Sequence, residues 1–170
     1  HVGCGSSCLG EYIVENFASV EECVNVDIDV DTLHCMKERW MNHHDDDFRD
    51  RLKFVDTDLS CRDALHQFPD GHFDLILDKS TLDCLLCSEN GATGLLTHVY
   101  RLLALGGTYC TISFQPVEFL RPLLNLPAAD WDIDFSVIAR QVEDLVVQRV
   151  TNRSRCMKNK EADDIDNRDI

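Results

Sequence analysis

Between residues 9 and 114 the apolar positions switch repeatedly between helical spacing and short β-rich runs, and this alternation restricts the fold more than any single motif. Leu9, Tyr12, Ile13 and Phe17 recur at three- and four-residue steps and predict a helix with these side chains on its inward face. Residues 23–28 (CVNVDI) read as a strand with an acidic end, and residues 31–40, carrying Leu33, Met36 and Trp40, as a second helix. The polar stretch 41–50 (MNHHDDDFRD) is expected to be an irregular link, followed by a strand at 52–55 (LKFV) and a turn at Pro69-Asp70-Gly71. Residues 73–77 (FDLIL) predict a buried strand, 95–103 a helix stopped by Gly106-Gly107, and 108–114 (TYCTISF) another strand. Strands and helices in this order specify a doubly wound, mostly parallel α/β sheet with helices on both faces. Trp131, Ile133, Phe135 and Val137 alternate with Asp132, Asp134 and Ser136, and together with residues 145–150 (LVVQRV) they predict an antiparallel hairpin at the sheet edge.

The 170 residues, 44% of them apolar, suffice for one core, so residues 1–150 are expected to form one domain and residues 151–170 a polar tail, first basic and then acidic. A net charge of −15 repels phosphate backbones and argues against nucleic acid as a partner. No apolar run reaches the roughly 18 residues of a membrane span, which argues against membrane insertion. The nine cysteines are odd in number and fall mostly within apolar segments, as free thiols of a reducing, cytoplasmic compartment would. The chain opens on His1 directly before a glycine turn, where a strand is expected to precede it.

Gly3-Cys4-Gly5 before a helix lets the backbone approach a ligand closely, but Cys8 stands where a dinucleotide site needs its third glycine, so a pyrophosphate cradle is not expected. Asp27 ends a strand about 20 residues later, where a carboxylate can accept hydrogen bonds from ribose hydroxyls. Asp58 ends the next strand and is placed to accept from an adenine amino group, with Leu59 against the ring. Asp78 and Lys79 follow the buried strand directly, at the edge where ligands of open α/β sheets collect. Ser80, Thr81 and Asp83 read equally well as a helix start. Cys84-x-x-Cys87 has no second pair and encloses two leucines, so a core helix is expected. The His43-His44-Asp45-Asp46-Asp47 run is expected to be a solvated loop, and no metal site follows from it. His34, His66, His72 and His98 have no serine or cysteine partner identifiable in sequence, and no hydrolytic triad is expected.

This motif order resembles the class I (seven-strand) methyltransferases that use S-adenosyl-L-methionine, whose fold is Rossmann-like. More narrowly, G-C-G-x-S with D-K-[GS]-T-L-D and residues 99–109 (VYRLLALGGTY) is similar to a methyltransferase-like branch that includes lysine methyltransferases of translation elongation factor 1-alpha. The resemblance implies that Gly3, Cys4 and Gly5 approach the methionine part of the cofactor. It places Asp27 on the ribose with Ile28 against adenine, and Asp58 with Leu59 beside the base. Asp78 and Lys79 stand at the sulfonium end, Asp78 orienting an acceptor amine and Lys79 contacting cofactor. The implied acceptor is a lysine of a basic protein, elongation factor 1-alpha in the first instance. A small-molecule methyltransferase and a catalytically silent binding module remain alternative readings. Ser80 stands where the branch carries glycine. The family strand order 3-2-1-4-5-7-6 places the expected upstream strand in mid-sheet, so the isolated 170-residue chain is expected to be unstable and upstream residues to restore a cooperative transition.

Overall fold

The computed structural model describes residues 1–43, 46–88, 90–125, 131–139 and 144–152. Helices α1 (Leu9–Asn16), α2 (Val30–His43) and α3 (Asp46–Arg49) surround strands β1 (Cys23–Asp27) and β2 (Leu52–Asp56). Strand β3 (Phe73–Lys79), helices α4 (Thr81–Leu85) and α5 (Gly91–Leu102), strand β4 (Leu103–Ser113), helix α6 (Val117–Leu124), and strands β5 (Trp131–Ala139) and β6 (Asp144–Asn152) follow. The expected α/β alternation is present. β1 pairs with β2 in parallel, Cys23 opposite Leu52 and Asp27 opposite Asp56. β3 pairs with β4 in parallel, and β6 runs antiparallel between β4 and β5, giving the order β3-β4-β6-β5. The late alternating segment therefore does form an edge hairpin.

The two ladders meet at a single residue. Val2 bridges in parallel to Val26 on one side and to Asp78 on the other. Its amide donates to the Leu77 carbonyl (2.9 Å), while the Val26 and Cys4 amides donate to the carbonyls of His1 and Val26, each at 2.9 Å. The His1 backbone nitrogen donates to the Val24 carbonyl (2.8 Å). Below this bridge, between β1 and β3, lies a cavity of about 600 Å³ lined by Val20, Val24, Leu65, Phe68, Phe73 and Leu75 among others. It occupies the mid-sheet position at which the sequence reading expects a strand.

The core is built from α5, whose Leu95, Leu96, Val99 and Leu102 are buried, against Val24, Val26, Ile76, Tyr109 and the Leu120 and Leu124 side chains of α6. Four local expectations are corrected. On α1 the buried positions are Gly10 and Val14, whereas Tyr12 and Phe17 are exposed and stack edge to face on each other at 6.4 Å. Gly10 sets that face, because a Cβ there would lie 2.5 Å from Asn25 Oδ1 and only glycine lets the helix approach β1 so closely. The polar link is helical at both ends, α2 running to His43 and α3 forming one turn. Gly106-Gly107 does not stop the helix: α5 ends at Leu102, and the glycines lie inside β4, in a bulge where the register moves from Phe73–Leu103 to Leu75–Thr108. Gly106, with φ of +80°, supplies the left-handed residue that the bulge needs. Cys84 and Cys87 are exposed: α4 turns Leu82 into the core, with Leu85 and Leu86 packed partly buried against it, and leaves both thiols on the outer face.

Candidate active site

The carboxyl ends of β1, β2 and β3 carry the candidate residues. The turn before α1 has two residues in the left-handed region, Gly3 (φ +55°) and Gly5 (φ +50°), for different reasons. A Cβ on Gly3 would lie 2.0 Å from Thr81 Oγ1, whose hydroxyl donates to the Val2 carbonyl at 3.0 Å. Gly3 is thus the seat on which the start of α4 rests. A Cβ on Gly5 would meet nothing within 4 Å, so this part of the turn faces open space. Cys4 between them is buried against Leu33 and Met36, and burial followed by the Asp27 charge pushes its thiol up to about 12. Cys4 offers the site its backbone and not a thiolate.

The Gly5 amide donates to Asp27 Oδ2 at 2.6 Å, which ties the glycine turn to the end of β1. Asp27 Oδ1 accepts from the Asp29 amide (3.0 Å). Asp29 in turn accepts from Asp31, Thr32 and the Thr32 hydroxyl; the Thr32 donations lead in holding its carboxyl below the usual range and start α2 immediately after the site. Each Asp27 oxygen keeps a lone pair for a further donor. Ile28 follows with its side chain 66% exposed. The Asp27 carbonyl accepts from the Thr57 amide (2.9 Å), so Asp58 stands one residue past that link on the neighbouring strand end. Asp58 Oδ1 accepts from the Ser60 hydroxyl (2.7 Å) and amide (2.8 Å), which keep its carboxyl below the ordinary range. The Leu59 side chain is packed in the core, so this residue offers the rim only its backbone.

Asp78 differs from the other acids. It is 1% exposed, and its oxygens accept from the Thr81 amide (2.8 Å), the Leu82 amide (3.1 Å) and the Tyr109 hydroxyl (2.7 Å). Burial pushes its carboxyl up, opposed first by Tyr109 and then by the two amides; burial also drives the Tyr109 phenol well above its usual value. Asp78 caps α4 and anchors Tyr109, so its charge is directed inward. Lys79, the next residue, is exposed. Ser80 begins α4 at φ +69° without a side-chain cap bond, the left-handed geometry that favours glycine and accounts for the residue expected there.

The geometry brings Gly3, Gly5, Asp27 and Asp78 into one hydrogen-bonded chain through Val2 and Thr81, with Asp58 one strand away. Thr81, Tyr109 and Asp83 were not singled out as site residues by the sequence reading. The three-residue step from Asp78 to Thr81 is a capping interval and was the available signal; the partners of Tyr109 and Asp83, about 30 residues away, leave none. Three of the described histidines have a polar neighbour away from the strand-end acids. His98 Nε2 lies 2.7 Å from the Cys61 carbonyl, and His34 and His66 lie 3.8 and 3.9 Å from Glu38 and Asp63. The His44-Asp45 pair lies outside the described residues, which contain no cluster of three potential metal ligands. No helix among them is long and apolar enough to cross a membrane.

Residues 1–111 match the family model described as a methyltransferase domain. Relatives named eEF1A lysine and N-terminal methyltransferase include those of Bos taurus, 34% identical, and Mus musculus, 32% identical, each over 71% of this chain. The chain spans only 16% of the length of either. Among solved structures, the methyltransferase domain of bacterial CtHen1 (the CN crystal) aligns with a TM-score of 0.69 at 15% identity, covering 89% of this chain and 87% of that one. The N-methyltransferase NodS from Bradyrhizobium japonicum in complex with S-adenosyl-l-homocysteine aligns with a TM-score of 0.60 at 16% identity, covering 89% and 75%. With the glycine turn and strand-end acids in the family's order and most of the chain within the family model, this chain belongs to the class I methyltransferases, whose cofactor is S-adenosyl-L-methionine.

Proposed function

We propose that this chain binds S-adenosyl-L-methionine at the carboxyl rim of β1–β3 and takes part in methyl transfer to a lysine amine of a basic protein, elongation factor 1-alpha being the first candidate. The observation that carries the reading is the 2.6 Å bond from the Gly5 amide to Asp27, beside open space at Gly5 and an exposed Ile28. A carboxylate with spare lone pairs fits a ribose diol, an exposed aliphatic side chain fits a base, and open space at a glycine fits the methionine backbone. Asp27 and Ile28 would hold the nucleoside with Asp58 and the Leu59 backbone beside the base, and Gly3, Cys4 and Gly5 the methionine part. Lys79, exposed where β3 ends, is assigned to the cofactor's methionine end.

The bound cofactor supplies an activated methyl group, so the protein's task is alignment and exclusion of water. Asp78, inward-facing and engaged three times, acts as a positioning residue: it fixes the β3–α4 junction against Val2 and leaves orientation of the acceptor to exposed groups. A net charge of −15 supports a basic partner through long-range attraction. The test is calorimetric titration with S-adenosyl-L-methionine, followed by mass spectrometry of elongation factor 1-alpha incubated with protein and cofactor. Saturable binding and a gain of one or more methyl masses on a lysine are expected; absence of binding removes the reading.

A further inference from the structure

Beyond β4 the chain leaves the carboxyl edge of the sheet, and there it is tied down by a residue of α4. Asp83 Oδ1 accepts from the Ser113 hydroxyl (2.5 Å) and Oδ2 from the Phe114 amide (3.1 Å), while the Gln115 amide donates to Ser113 Oγ (3.0 Å). Asp83 and this turn are about 30 residues apart, and Ser113 is fully buried. The same turn holds the Phe114 ring 54% exposed. The Asp83–Ser113 latch thus fixes the backbone on both sides of a ring that stays half in solvent and could still gain from cover, full burial of a phenylalanine contributing about 2 kcal/mol.

The position of the ring narrows its use. Lys79 pairs with Ile112, and the Ser80 amide donates to the Ile112 carbonyl at 2.9 Å, so Phe114 stands two residues past the partner of Lys79. Val2, which leads into the glycine turn, pairs with β3 on its other side, at Asp78. Gly3, Gly5 and Asp27 therefore lie on the β1 side of β3, Lys79 at its end and Phe114 on the β4 side. We propose that Phe114 is the acceptor-side contact, an aromatic wall for the methylene stem and cationic head of the incoming lysine, and that Asp83 and Ser113 are the positioning residues that hold it. This rests on the lysine-acceptor reading above. A ring face attracts an ammonium and covers the four methylenes that precede it.

Steady-state kinetics on elongation factor 1-alpha test the assignment. Phe114→Ala raises the acceptor KM by about tenfold, with most of the loss in KM and not in kcat, while the cofactor Kd measured by calorimetry holds. Phe114→Tyr recovers most of it, since any flat ring serves. Ser113→Ala loosens the latch without removing the Asp83 carboxylate and raises KM in the same direction; the Ser113→Ala/Phe114→Ala double variant is no worse than Phe114→Ala alone. An acceptor KM within twofold of the parent for Phe114→Ala, or strictly additive effects, overturns the inference while leaving cofactor binding and transfer standing. If the parent binds cofactor but does not methylate this factor, the Phe114→Trp variant is titrated with a lysine-rich peptide in the presence of S-adenosylhomocysteine. A saturable emission change supports the contact, and a flat trace overturns it.

Discussion

Replacing Gly3 by alanine probes the junction on which the site is built. The left-handed φ of +55° costs a residue with a Cβ about 1–2 kcal/mol. The new methyl would lie 2.0 Å from Thr81 Oγ1 and 2.6 Å from its Cγ2, so Thr81 must leave the rotamer that donates to the Val2 carbonyl, a further loss of about 1 kcal/mol. The expected destabilisation is about 2–3 kcal/mol, which for a chain of this size lowers Tm by roughly 4–12 °C. Gly5→Ala meets the same backbone cost at φ +50° but no neighbour within 4 Å, so it should lose about half as much stability. Its methyl instead fills the open space assigned to the ligand, and affinity for S-adenosyl-L-methionine should fall. Urea unfolding followed by circular dichroism, together with calorimetric titration of both variants, measures the contrast. A Gly3→Ala/Thr81→Gly double-mutant cycle should show coupling of at least about 1 kcal/mol. Equal destabilisation by the two alanines, or no coupling, would refute the reading of Gly3 as the seat of α4.

Two further outcomes follow from the same geometry. Ser80→Gly, which relieves the left-handed φ of +69° at a residue making no cap bond, should stabilise the fold by about 1 kcal/mol and raise Tm by roughly 2–4 °C in a calorimetric scan. Asp78 has its folded pKa raised, so the stability it contributes is fully present below the unfolded carboxylate pKa and is lost as pH rises through the folded value. Asp78→Asn should therefore gain on the parent across that rise and run parallel to it at higher pH; unfolding curves that stay parallel from acid to neutral pH would count against a buried charge.

The succession of the first three strands was legible because each is a short apolar run with an acid at or just past its end, and those acids, Asp27, Asp58 and Asp78, stand at the carboxyl ends of β1, β2 and β3. The sequence pattern did not distinguish among their environments. Asp27 keeps capacity for a ligand, whereas Asp78 is consumed by Tyr109 and two amides from α4. That difference depends on a partner 31 residues away, beyond any local periodicity. Periodicity also misassigned the inward face of α1, where a single glycine decides how closely the helix approaches Asn25, a residue with no helical pattern of its own. The glycine pair in β4 shows the same limit, since a bulge and a helix stop both call for a left-handed residue and differ only in the strand lying alongside. Ser80 was informative in the opposite sense, because a residue at odds with its family marks a strained torsion.

The junction at Val2 also has a mechanical consequence. Val2, Val24, Val26, Leu59, Ile76 and Leu82 lie in one core cluster, so side-chain packing as well as the two bridges at Val2 couples the β1–β2 ladder to the β3-β4-β6-β5 ladder. A substitution that loosens this packing on either side is transmitted to the carboxyl ends of both ladders, those that carry Asp27 and Asp58 and those that carry Lys79 and Phe114.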